Sequence, residues 1–180
     1  MLDLGSGSGT DVFAAASAVG TGGKVVGLDM TEEQMEKAER LRREAGLPQV
    51  TFSRGYIEDL PFPDNSFDCI ISNGVVNLSA DKPAVFREAA RVLRPGGRLA
   101  LADIVTERPL TPEIVCNADL WAACVGGAAQ AGSYRSAIAD AGFTIEQQER
   151  NNYGFLSGRA RAATTTYGVM SLSFLARLSE

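Results

Sequence analysis

The 180-residue chain contains no histidine. That removes the side chain that most often serves as general base near neutral pH and as a neutral metal ligand, so any chemistry here must run without either. Only three cysteines occur, Cys69, Cys116 and Cys124. Their odd number and unpaired spacing fit neither a disulfide framework nor a zinc site. Such sparse cysteine suits a reducing cytosol, and a cytoplasmic location is expected. Basic residues are in deficit, 17 Lys and Arg against 22 Asp and Glu for a net charge of −5. They are scattered among acids, leaving no basic stripe for a phosphate backbone, so nucleic acid is not an expected partner. No apolar run is long enough to span a bilayer, and a membrane is not expected either. The first residues read as a strand and a turn, not as the basic region and apolar stretch of a signal peptide.

What the chain does have is glycine in one place that matters. It opens on Leu2-Asp3-Leu4-Gly5-Ser6-Gly7-Ser8-Gly9-Thr10-Asp11, and a second apolar run, Val25-Val26-Gly27-Leu28, ends in Asp29. A strand entering a Gly-x-Gly-x-Gly turn and leaving into a helix, followed by a strand that ends in an acid, is the first βαβ unit of a nucleotide-binding sheet. The acid would hold the ribose hydroxyls. Two residues argue against a dinucleotide. Thr10 stands where close strand–helix packing around a pyrophosphate wants glycine, and Asp3 would repel a pyrophosphate while pairing well with an amino group. S-adenosylmethionine carries that ammonium and a ribose but no phosphate, and its carboxylate would take backbone N–H groups at the turn and helix start.

The rest of the pattern extends this beginning. Helices are expected from Asp11 to Val19, from a Thr31-Glu32-Glu33-Gln34 capping box to about Ala45, and after Asp81 and Pro83 through Val92 and Leu93. Strands are expected over Lys24–Leu28, Val50–Arg54, Phe67–Ser72 and, after a Pro95-Gly96-Gly97 break, Arg98–Ile104. The last third predicts one helix from Thr111 to about Cys124 and another over Ser133–Ala141. A strand follows over Phe143–Glu149, then little periodicity over 154–166, and a final strand over Tyr167–Leu178. Together these give an α/β fold with a doubly wound, mostly parallel seven-stranded sheet and a C-terminal antiparallel strand. The expected organisation is one domain over 1–180, with a cofactor-binding core at 1–105 and substrate-side helices and last strands at 106–180.

Several motifs give the chain a resemblance. The first turn and Gly27-Leu28-Asp29-Met30-Thr31 are similar to those of class I S-adenosylmethionine-dependent methyltransferases. Gly55-Tyr56-Ile57-Glu58-Asp59-Leu60, Ile71-Ser72-Asn73-Gly74-Val75-Val76-Asn77-Leu78-Ser79 and Leu120-Trp121-Ala122-Ala123-Cys124-Val125-Gly126-Gly127-Ala128 resemble the arsenite methyltransferase branch. The resemblance implies S-adenosyl-L-methionine as cofactor. It places Asp3, Gly5, Ser6 and Gly7 at the methionine end, Asp29 and Met30 on ribose and adenine, Ile57 and Glu58 beside the adenine, and Asn73 near the methionine moiety. Read from the residues alone, Glu58 also suits a helix start or a solvated loop, and Met30 also suits ordinary packing.

In that family cysteine thiolates hold trivalent arsenic, and the resemblance assigns Cys124 this catalytic and arsenic-binding place. The position after Ser72-Asn73, another family cysteine, is Gly74 here, so half of a two-sulfur grip is missing. Cys116, eight residues before Cys124, would stand about 12 Å away on a continuous helix, too far to replace it. Cys69 reads as a small buried hydrophobe, and Trp121 as either a pocket wall or core packing. The implied partners are an arsenical or other small-molecule acceptor, with organic acceptors as one alternative and a non-catalytic, truncated cofactor-binding domain as another. The resemblance also leads one to expect covering helices ahead of the first strand. Here that strand is already under way at Met1–Leu4, so the expected fold lacks them.

Overall fold

The computed structural model describes residues 1–154 and 158–180. Strands β1 (Leu2–Leu4), β2 (Val25–Asp29), β3 (Val50–Arg54), β4 (Phe67–Asn73), β5 (Leu93–Val105), β6 (Phe143–Asn151) and β7 (Met170–Leu178) form one sheet in the order β3-β2-β1-β4-β5-β7-β6. β1 to β5 run parallel to one another, and β7 runs antiparallel between β5 and β6. This is the doubly wound sheet with a C-terminal antiparallel strand that the sequence predicts. Strand order reverses between β1 and β4, and in open α/β sheets ligands bind at the carboxyl ends of strands at such a switch point.

Helices α1 (Thr10–Val19), α2 (Glu32–Glu44), α3 (Lys82–Val92), α4 (Pro112–Val115), α5 (Ala118–Ala122), α6 (Ala131–Asp140) and α7 (Gly158–Tyr167) complete the chain, with one 3₁₀ turn at Val76–Leu78. Alternation along β1 divides the core between two faces. Leu2 and Leu4 join Val85, Phe86, Ala89, Tyr134 and Ile138 from α3 and α6 in the larger apolar cluster. Asp3 therefore points to the opposite face, where Val12, Ala15 and Ala16 of α1 pack on Val25 and Val50. A third cluster gathers Ile104, Leu120, Val125, Ala128 and Val169 beneath the segment that follows β5.

Local signals set most boundaries. Asp81 caps α3 by accepting from the Ala84 N–H at 2.9 Å, with Pro83 in the first turn. Thr31 caps α2 by position, but the expected capping-box bond does not form; its own N–H instead donates to Asp29 Oδ1 at 2.9 Å.

Four expectations need correction. The helix predicted over 111–124 is two short ones, because Asn117 accepts from the Leu120 N–H and starts α5 afresh. The last strand begins at Met170 instead of Tyr167, which ends α7; Gly168, at φ +65°, makes the turn between them. Part of the stretch expected to lack periodicity is α7 itself, built on small residues that bury Ala160 and Ala163, while residues 155–157 lie outside the described residues. The Pro95-Gly96-Gly97 sequence does not end a helix before a separate strand: β5 runs from Leu93, with an irregularity in its pairing to β4 between Phe67 and Cys69.

Candidate active site

The carboxyl ends of β1, β2 and β4 converge on the glycine turn. Gly5 and Gly7 take left-handed backbone, φ +71° and +51°, which folds the chain tightly after β1. At Gly5 a Cβ would lie 2.5 Å from Val75 Cγ2, so glycine also lets the β4 turn close against it. The Gly5 and Ser6 N–H groups both donate to the Leu28 carbonyl, at 2.8 and 2.9 Å, and Gly9 N–H donates to Ser6 O at 2.9 Å. Gly7 N–H donates to Asp29 Oδ2 at 2.9 Å. These turn amides are thus engaged within the protein, and the anion-binding place left is the start of α1, where Phe13 is the first residue to donate back, to Gly9 O.

Asp29 joins two loops. One oxygen accepts from Gly7 and the other from Thr31, both at 2.9 Å, and each retains accepting capacity for a hydroxyl. Beside it lies a cavity of about 240 Å³ lined by Gly5, Asp29, Met30, Ile57, Glu58 and Ser79, among others. Glu58 accepts from the Ser79 hydroxyl on its rim. Met30, Tyr56 and Leu78, which also line it, are 61%, 63% and 45% exposed; large apolar side chains so exposed around one crevice mark a candidate ligand surface.

Of the residues singled out in the sequence, Gly5, Asp29, Met30, Ile57 and Glu58 meet at this cavity; Asp3, Ser6, Gly7, Asn73 and Cys124 do not line it. Asp3 lies under the turn at 2% exposure. Burial, with Asp11 and Asp29 nearby, pushes it up to about 7. Ser6 faces Gly27, whose missing side chain makes room for it, and its buried hydroxyl has no partner among the described residues. Asn73 is exposed at the end of β4 and donates to Asp11 Oδ2 at 3.3 Å.

A second constellation surrounds Cys124. Cys124 is half-buried, with its thiol donating to the Gly74 carbonyl at 3.8 Å. Burial raises the thiol above its ordinary value, Asp103 adds to this, and the Asn77 side chain opposes it. Asp103, at the end of β5, accepts from Asn77 N–H at 2.8 Å, the Tyr134 hydroxyl at 3.0 Å and its neighbour Ile104 N–H at 2.9 Å. Its burial pushes it up to about 6 against those bonds. Lys82 donates to the carbonyls of Asn77 and Ser79 at 3.0 and 2.9 Å.

Sequence reasoning missed Asn77, Lys82, Asp103 and Tyr134. The available signal was Asp103, an acid late in an otherwise apolar strand. The break at Asn117 also removes the continuous helix on which the separation of Cys116 and Cys124 was reckoned; Cys116 is exposed at the end of α4. Trp121 packs its ring on Gly126 and Gly127 and donates to Val115 O, joining α4 to α5. Among the described residues no group of three or more acidic or cysteine side chains could hold a metal ion, and no helix is long and apolar enough to cross a membrane.

This sheet order, with a glycine turn after β1 and an acid ending β2, defines a nucleotide-binding α/β protein of the methyltransferase type. Residues 1–155 match the family described as a methyltransferase domain, and the chain belongs to it. It is 43% identical over 151 residues to an arsenite methyltransferase of Aquipseudomonas alcaligenes, covering 80% of this chain and 44% of that protein. Against the arsenite methyltransferase of Homo sapiens it is 43% identical over 137 residues, covering 71% and 36%. The structure of CrArsM, an arsenic(III) S-adenosylmethionine methyltransferase from Chlamydomonas reinhardtii, matches with a TM-score of 0.81 at 33% identity, over 99% of this chain and 62% of that one. The chain therefore spans less than half the length of these two curated relatives.

Proposed function

We propose that the chain is an S-adenosylmethionine-dependent methyltransferase that passes the methyl group to trivalent arsenic, or another soft nucleophile, held at Cys124. The observation that carries the acceptor side is the meeting of Cys124 with Gly74, Sγ to O 3.8 Å. The two positions that hold sulfur in the arsenite family by resemblance are neighbours here, although 50 residues apart in the chain. On the donor side the residues fit the cofactor. Asp3 is a buried carboxylate, suited to an ammonium, and Asp29 is fixed to receive ribose hydroxyls. Met30 and Ile57 give apolar surface to adenine and Glu58 a polar edge. When bound, the cofactor supplies a sulfonium methyl group that is already a reactive donor.

The protein's part is orientation and exclusion of water, with no base required for a soft nucleophile. Residues 1–105 serve as the cofactor core and carry Gly74, Asn77 and Asp103 to the acceptor end, which 106–180 completes with Cys124. The reduced cysteines suit work in the cytoplasm.

A methyl-transfer assay with labelled donor tests the reading, offering arsenite, methylarsenite and organic thiols as acceptors. Transfer to an arsenical, lost in Cys124→Ser with donor binding retained, is expected; absence of donor binding by calorimetry would overturn it. Gly74→Cys should strengthen the grip on arsenite by roughly a hundredfold, since a second thiolate acts at high effective concentration. A Cβ there meets no atom within 4 Å, although φ +72° strains it. That open space favours a second reading, an organic acceptor that uses the room left by glycine. It predicts turnover that survives Cys124→Ser.

A further inference from the structure

Helix α5 ends in a hydrogen-bond pattern normally closed by glycine. Cys124 N–H donates to Trp121 O at 2.9 Å and Val125 N–H reaches back to Leu120 O at 2.8 Å, the two bonds of a Schellman cap whose left-handed position favours glycine. Here that position is Cys124, at φ +59°. Apart from Cys124, Asn65 is the only residue other than glycine with positive φ among the described residues. A strained conformation persists where its surroundings over-determine it, and several groups converge on this one. Asn77 Nδ2 donates to the Cys124 carbonyl at 2.6 Å. Asn77 is itself fully buried and held from both sides of its backbone, its N–H by Asp103 and its carbonyl by Lys82. Gly127 leaves no room for a side chain against that same carbonyl. One Asn77 atom is left over: its Oδ1 is buried without a partner among the described residues.

We propose that Asn77 is the positioning residue of the acceptor end: its amide fixes the left-handed backbone at Cys124 and so aims the thiol toward Gly74, while Asp103 and Lys82 hold Asn77 in place. This deepens the function proposed above and rests on Cys124 being the acceptor-side residue. A side chain buried only to fill space would leave its amide satisfied by its nearest neighbours. This one spends its donor on the cysteine backbone, 47 residues away in the chain.

The test reads the thiol itself, by alkylation of the whole chain at several pH values with peptide mass spectrometry to separate Cys124 from Cys69 and Cys116. Asn77→Ala should slow alkylation of Cys124 about threefold or more at neutral pH, because the amide that favours the thiolate is gone. Asp103→Asn keeps an oxygen to accept from Asn77 N–H while it removes a nearby negative charge, so it should speed alkylation by a similar factor. Cys116 should be unchanged in both. An unaltered Cys124 profile in folded Asn77→Ala would overturn the proposal.

Should that variant fail to fold, the unmodified protein decides by NMR. The Asn77 side-chain amide should exchange slowly and shift when Cys124 is alkylated; exchange as fast as that of the exposed Asn152 would refute the assignment. None of these readings involves the methyl donor or an acceptor. Failure of donor binding would therefore count against the proposed function alone, and an unmoved thiol profile against Asn77 alone.

Discussion

Cysteine in a glycine's place at the end of α5 predicts an inverted order of stability at position 124. For a side chain bearing Cβ, left-handed backbone costs about 1–2 kcal/mol relative to right-handed. Glycine escapes this but loses roughly 0.5–1 kcal/mol more chain entropy on folding. The difference leaves Cys124→Gly more stable than Cys124→Ala by about 0.5–1 kcal/mol, since both variants lose the same sulfur and differ only in the strained Cβ. A 1 kcal/mol change shifts the melting temperature of a chain of this size by about 2–4 °C, so glycine should melt about 1–4 °C above alanine.

Thermal unfolding followed by circular dichroism measures the difference directly. Ala122→Gly, two residues earlier in the right-handed turn of the same helix, is the control. It should be destabilised by up to about 1 kcal/mol relative to the parent. If Cys124→Ala melts at or above Cys124→Gly, position 124 is not strained in solution and the cap described above is wrong. A gain on removing the thiol would also show that its placement is maintained against stability, as is common where side chains serve ligands.

Three other perturbations follow from the donor side. Asp3 is pushed up to about 7, so the folded protein binds a proton there that the unfolded chain releases near 4. Its ionisation therefore opposes folding, a loss that develops as pH rises from about 4 to about 7, and Asp3→Asn should flatten that part of the stability profile measured by denaturant titration. A cationic donor needs Asp3 ionised, so calorimetry below about pH 7 should show proton release on donor binding, and affinity should rise with pH up to that point; no release would refute the pairing. Asp29→Ala removes the acceptor for two backbone N–H groups and should cost about 1–3 kcal/mol of stability as well as donor affinity, read by chemical denaturation and calorimetry. Gly5→Ala meets both left-handed backbone and Val75, and should destabilise by about 2–4 kcal/mol.

The uneven legibility of this chain follows from where each structural decision is made. The donor side is local. Gly5, Gly7 and Asp29 lie within one βαβ unit, and short-range rules on turns, caps and strand ends place them together, so they could be read before any packing was known. Asp3 stands out in the sequence for a different reason, as a charge in an otherwise apolar strand, but it does not line the cavity. The acceptor side is assembled across the chain: Gly74 follows β4, Asp103 ends β5, and Cys124 closes α5. Their adjacency exists only because β4 and β5 pair in register, Asn73 opposite Ala102, and because the segment after β5 returns over that edge. Helical periodicity misled there, since one N-capping bond at Asn117 outweighed the pattern from 111 to 124. Alanine-rich α7 was invisible for want of an apolar stripe, its burial being supplied by small residues against Ile104 and Val169. Asn77 illustrates the limit most clearly: between Val76 and Leu78 its identity suggests a turn, and only the structure shows an amide directed at a cysteine carbonyl 47 residues away. The two halves thus call for different perturbations. Donor-side variants should act through the turn they belong to, whereas variants at 77, 103 and 124 should be strongly non-additive, because each holds the next.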